Sequence, residues 1–277
     1  TFQQQKSDIY SSCIASINRD AAGTITNPST TDGRHEYVSV QGCTMNNSYN
    51  GMYFQGYSAP SPYDLFDHFY NIGNVTGNTL TNIGSEGVTN TNIVYGGFAQ
   101  YLDSISINNN TIRVNNGTNS VTMYGILLST GINSSANVIG NTISDTSGAT
   151  TLQMTAIGNA MGGTGVDNTV NIQNNTITNC VYTAPTTGNS YLIYLSANPF
   201  NLNVTGNVIR DIKHGDGSST ATGSMYGVYC LSSNSTSGAT YTISNNSLDN
   251  FTRSQSAPGS GNMVGLYFTS AAFNTEM

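Results

Sequence analysis

The sequence predicts an all-β chain wound as a parallel β-helix, a solenoid of about seven to eight coils with its loops on one side. Three observations carry that expectation. A short phrase recurs every 31 to 39 residues. Apolar and polar residues alternate with a period of two around it, as in a strand with one buried face. Only 8% of the residues are charged, against about a quarter in an ordinary globular chain, while apolar residues still recur at regular intervals.

The phrase reads apolar, any residue, Gly or Asn, Asn, any residue, Ile or Leu. Its copies run from Val75 to Leu80, Ile107 to Ile112, Val138 to Ile143, Ile172 to Ile177, Val204 to Ile209 and Ile243 to Leu248. A degenerate copy, Val40 to Met45, has Cys43 in place of the Asn, and a weaker one, Tyr10 to Ala15, has Cys13 there.

Each part of the phrase has a structural reading. The apolar residues before the Asn form one strand. Gly and Asn tolerate left-handed backbone angles, so the pair marks a corner. A second strand starts at the closing Ile or Leu. The next corner is expected at Asn82, Asp145, Asn179, Asp211 and Asn250. A loop of variable length follows, and then a third strand, as in Tyr191-Leu-Ile-Tyr194 and Tyr226-Gly-Val-Tyr229.

Equivalent residues return once per coil, so they stack at about 4.8 Å. Val and Ile then fill the interior. Asn78, Asn110, Asn141, Asn175, Asn207 and Asn246 form a structural ladder of hydrogen-bonded side chains. Residues 1–37 read as an irregular start or weak first coil, and 38–277 as the solenoid, part of a longer secreted chain. Residues 63–72, dense in aromatics, read as a loop folded over the rod.

Composition excludes some functions. Net charge is −7, and Lys6 and Lys213 are the two lysines. No basic stripe is present to neutralise phosphates, so nucleic acid and anionic membrane surfaces are not expected partners. No apolar run reaches the roughly 20 residues of a membrane-spanning helix. The four cysteines make no metal-type pair, and no cofactor is implied. Cys13 and Cys43 stand 30 residues apart at matching phrase positions. Both a disulfide between neighbouring coils and a pair of buried thiols fit that spacing.

The recurring Asn-Thr-Ile corner resembles the right-handed parallel β-helix repeat proteins, over about residues 38–270. These include pectate lyases, polygalacturonases and many bacterial surface proteins. The Asn-rich, charge-poor style is most similar to β-helix segments of large secreted proteins of Bacteroidetes-type bacteria. The resemblance implies a right-handed coil, in line with the general bias of parallel crossovers. It implies no particular activity.

An enzyme of that kind needs clustered charge, since cleaving a glycosidic bond takes an acid and a base or nucleophile. The densest cluster is Arg210, Lys213, His214 and Asp216, which could grip an acidic sugar, but with Asp211 in the corner column it reads first as a solvated corner and the start of a loop. Asp64, Asp67 and His68 form a second candidate, and Asp32, Arg34, His35 and Glu36 a third. A carbohydrate-binding stripe is a further candidate. Tyr53, Tyr194, Tyr229 and Tyr267 share one third-strand position, and alternation turns them outward.

The expectation is an extracellular structural and adhesive module of a secreted or cell-surface protein. Its partners would be a polysaccharide or another surface protein. The alternatives are a polysaccharide-degrading enzyme or its sugar-binding module, and a self-stacking filament subunit.

Overall fold

The computed structural model describes residues 11–18, 34–57, 66–89, 92–163, 167–215, 221–233, 236–254 and 261–269. They form three parallel sheets that run the length of a solenoid, and no described residue is helical. Successive strands in the chain belong to different sheets, except Thr176–Thr178 and Val181–Tyr182, which share the third, so each coil passes once through each sheet.

The first sheet has eight strands: Ser12–Ile17, Asn50–Gln55, Val94–Gln100, Met123–Gly131, Met154–Met161, Ser190–Leu195, Met225–Cys230 and Met263–Phe268. The second has seven: Ser39–Val40, Asp67–Ile72, Leu102–Asn108, Ala136–Ile139, Thr169–Gln173, Asn201–Thr205 and Thr240–Ser244. The third sheet lies just past the Asn corner and runs from Thr44–Ser48 to Ser247–Arg253. Seven equivalent strands in the second sheet delimit six complete turns, since a turn is the interval between two of them. Counting phrases gives the higher expectation of seven to eight coils.

The core is a set of apolar columns. Ile107, Val138, Ile172 and Val204 are in register on successive coils and fully buried. Ile112, Ile143, Ile177 and Ile209 do the same beyond the corner. Val75 is a correction. It is 89% exposed, and Ile72 takes the interior place opposite Ile107. Three extra residues in this coil bulge outward between Ile72 and the Asn corner. Residues 67–72, expected as a folded-over loop, are a strand of the second sheet.

Between these columns runs the asparagine ladder. The side-chain Nδ2 of Asn110 donates to Asn141 Oδ1 at 3.1 Å and to the Ile72 carbonyl at 3.1 Å. Asn141 repeats this with Asn175 at 3.0 Å and Ile107 at 2.7 Å. Each Oδ1 also accepts the main-chain N–H of the preceding ladder residue, as Asn141 does from Asn110 at 2.9 Å. The pattern holds from Asn78 to Asn246. Every side chain in it therefore satisfies both its own amide and a corner that the strands leave open.

The Gly-or-Asn choice before the ladder also has a cause. Asn109 and Asn174 have φ of 59° and 54°, and Gly140 and Gly206 both have 69°. A Cβ on Gly140 would lie 2.6 Å from Asn109 Oδ1, and one on Gly206 would lie 2.4 Å from Asn174 Oδ1. An amide on one coil thus demands glycine on the next.

The cysteines are a second correction. All four are free thiols. Cys13 belongs to the first sheet, whereas Cys43 stands at the head of the ladder, where its N–H donates to Asn78 Oδ1 at 2.9 Å. Cys13 lies within a strand and Cys43 at the Asn corner, so the 30-residue spacing does not stack them.

Candidate functional site

Strand geometry divides the densest charge cluster. Val208–His214 alternates strictly near its end, so Arg210 and Lys213 are exposed while His214 is fully buried. The imidazole Nδ1 bonds Ser190 Oγ at 2.9 Å, and Nε2 has no hydrogen-bond partner. Burial, reinforced by the Arg253 charge, pulls the His214 pKa from 6.5 down to about 4. Arg210 pairs with Asp211 at 3.7 Å on the surface. Asp216 lies outside the described residues. The histidine and the cations therefore do not share a face on which to act together.

The other two clusters come together. Glu36 and His68 bridge neighbouring coils, which brings His35 to Asp67. The Asp67 carboxylate is completely buried and accepts the His35 N–H at 3.0 Å and the Tyr70 hydroxyl at 3.1 Å. Asn18 also donates to it. Burial raises its pKa to about 6 despite the His35 N–H, the His35 charge and the Tyr70 bond. Ser16 Oγ is 2.9 Å from His35 Nδ1, and Asp67 Oδ2 is 3.4 Å from the same nitrogen. A nucleophile-activating relay uses one ring nitrogen for each partner. Here both partners crowd Nδ1, a geometry that anchors the ring rather than relaying a proton. Asp32 and Asp64 lie outside the described residues, and Arg34 is ion-paired with Glu36.

Tyrosine dominates the exterior of the first sheet. Tyr53 lies beside Phe98, and Tyr194, Tyr229 and Tyr267 follow one another in register. A second column, Tyr95 with Tyr124 and Tyr191 with Tyr226, runs alongside. Strict alternation hides this second column, because Tyr191 has the same parity as the buried Ile193. In the folded strand Leu192 and Ile193 are both buried between half-exposed Tyr191 and Tyr194, so the alternation slips by one. The recurring Tyr-x-x-Tyr spacing in Tyr191–Tyr194 and Tyr226–Tyr229 was the available signal.

The rings face one another. Tyr191 and Tyr226 stack at 5.3 Å and 7°, and Tyr229 and Tyr267 at 4.8 Å and 9°. Tyr53 and Phe98 stack at 4.5 Å and 20°. Rings paired along the rod offer solvent their edges, while their flat faces are already covered. Thr155 and Gly158 interrupt the two columns between the upper and lower groups. Burial pushes the phenol of Tyr95 up to about 12, and those of Tyr124 and Tyr191 upward as well.

One buried acid is out of place. Asp145, expected at the second corner, is fully buried, and neither of its carboxyl oxygens has a hydrogen-bond partner. The corner residues Asn82, Asn179, Asp211 and Asn250 have φ between 51° and 59°. Thr142–Ser147 and its neighbour Thr111–Asn115 lack that residue, so Asp145 falls in register with Val114 in the interior column. Oδ2 lies against Gly125, and burial raises the pKa of the acid well above its usual range.

Comparison with protein-family models, curated proteins and solved structures gave no match. The reading of this chain therefore rests on its own geometry.

Proposed function

We propose that this chain is a structural and adhesive module, a stiff rod within a secreted or cell-surface protein. The observation that carries this reading is the use of its polar side chains. The asparagine ladder ties each coil to the next through side chain and main chain at every corner from Asn78 to Asn246. Stacked rings do the same outside. Asp67, Asp145 and His214, whose pKa values burial displaces, are inside the rod. A charge-poor outer surface rich in amides, hydroxyls and ring edges suits contact with neutral carbohydrate or another surface protein. The Asn-rich, charge-poor style adds the resemblance to secreted proteins of Bacteroidetes-type bacteria.

Incubation with neutral and acidic polysaccharides tests this reading. Retention of the intact chain without shortened sugars is the expected result. Release of shortened sugars, abolished by Lys213→Ala with His214→Ala, would establish a polysaccharide-degrading enzyme instead.

A second reading, end-to-end stacking into a filament, draws on the last described coil. Met263 and Leu266 are about half exposed there, and Leu248 and Tyr267 are more than a third exposed. Exposed strand edges of this kind invite pairing. Light scattering that rises with concentration, and falls for Leu266→Lys, would favour it.

A further inference from the structure

The second sheet carries an outer face unlike the first. Asn71, Ser106, Asn137, Asn171 and Asn203 stand in register on five successive coils, all half-exposed. Their side chains bond along the rod: Asn137 to Ser106 at 3.3 Å, Asn171 to Asn137 at 2.8 Å and Asn203 to Asn171 at 2.8 Å. An open groove of about 330 Å³ runs over the first four of these.

Phe69 closes one end of the groove. Tyr37 stacks on one of its faces, with centroids 4.9 Å apart and 14° between the planes. The His68 ring meets Phe69 in a T-shaped contact at 5.5 Å and 83°, and on the following coil the equivalent residue is Ser104, too small to stack on the other face. Tyr37, Phe69 and Ser104 all have positive φ, at 57°, 59° and 59°. Such angles are uncommon for bulky residues and persist where a structure holds a side chain in a particular place. Phe69 remains 39% exposed and Tyr37 71% exposed.

We propose that this groove is a binding site for an uncharged oligosaccharide, with one sugar unit against the open face of Phe69 and its neighbours along the amide row. An aromatic face meets the C–H side of a sugar ring, and amides and hydroxyls both donate and accept for its hydroxyl groups. The row offers no cation to an acidic sugar. The nearest charge along this sheet is the Asp103 carboxylate, which accepts the Ser135 N–H at 3.0 Å and would repel one. The site gives the adhesive reading above a defined ligand class and place, and rests on that reading only for the ligand being carbohydrate.

Titration calorimetry of the intact chain with cellohexaose, mannohexaose and hexagalacturonate tests it. Binding of at least one neutral hexasaccharide, and none of hexagalacturonate, is expected. Phe69→Gly removes the platform while suiting the positive φ, so the fold is kept and affinity should fall about tenfold. Asn137→Asp should weaken binding as well, and Tyr229→Ala, on the other sheet, should leave it unchanged. Unaltered affinity in Phe69→Gly, or loss confined to Tyr229→Ala, overturns the assignment. If no neutral hexasaccharide binds, the groove is not this site, yet the rod stands so long as no sugar is shortened. Shortened products overturn the rod reading itself.

Discussion

Asn110 and Asp145 are both short, polar and completely buried, one coil apart, and their surroundings could hardly differ more. The amide of Asn110 donates twice, and its Oδ1 accepts from both the side chain and the main chain of Asn78. The Asp145 carboxyl makes no hydrogen bond. The contrast shows that a solenoid interior tolerates polarity when a column repeats it, since each residue then supplies the partner its neighbour needs. Asp145 stands in one coil alone, in register with Val114, and burying it without a partner costs free energy.

Breaking the repeated column should have the largest effect. Asn141→Leu removes the acceptor for Asn110 and the donor to Asn175 and Ile107. Several buried groups lose their partners together, so destabilisation of about 4 kcal/mol is expected in urea denaturation. A loss below about 1 kcal/mol would show that water replaces the ladder at little cost.

Next in size is His214, a buried group with one partner. Its folded pKa of about 4 lies below its ordinary 6.5, so the neutral ring is the form that folding favours. That stability is present above pH 6.5 and is lost as pH falls toward 4, up to about 3 kcal/mol. Melting curves of His214→Gln should lack this acid-side decline. If both proteins follow the same curve, the ring is not held neutral.

Asp145 should behave in the opposite sense. Its folded pKa is raised, so its stabilising protonated form is complete below about pH 4 and is lost as pH rises. Asp145→Val matches Val114 beside it and should gain about 2 kcal/mol at pH 7. A loss of stability would reveal a partner for the carboxyl. The exterior ring ladder should matter least. Tyr226→Ala removes the stack on Tyr191 at a cost of about 1 kcal/mol, and Tyr226→Phe should be neutral in the same assay.

Much of the fold was legible because the phrase is strong wherever a buried side chain must bond its own copy. The interior Ile and Val columns and the ladder from Asn78 to Asn246 follow from period and parity. Two of the errors share an origin. Val75 and Asp145 are misplaced by insertions and deletions of one to three residues, which shift which face a side chain meets. The candidate sites were less legible for the same reason. Tyr191 and Tyr226 were hidden by a slip in alternation, and Arg210 and Lys213 were parted from His214 by alternation that held. The amide row stands four residues before the ladder asparagine at Ser106, Asn137, Asn171 and Asn203, a position the phrase leaves open, and the extra residues before Asn78 move Asn71 off that spacing.

The sequence by itself determined that this chain coils, where it turns and which amides stack, because those features repeat along one dimension. Only the tertiary structure decided what stands beside what on the outside. Register between coils is fixed by main-chain hydrogen bonds from one coil to the next, as from the Thr142 N–H to the Asn110 carbonyl and from the Thr176 N–H to the Asn141 carbonyl, both at 2.8 Å. No local pattern encodes whether a ring meets another ring, as Tyr229 meets Tyr267, or is left with an open face, as Phe69 is above Ser104.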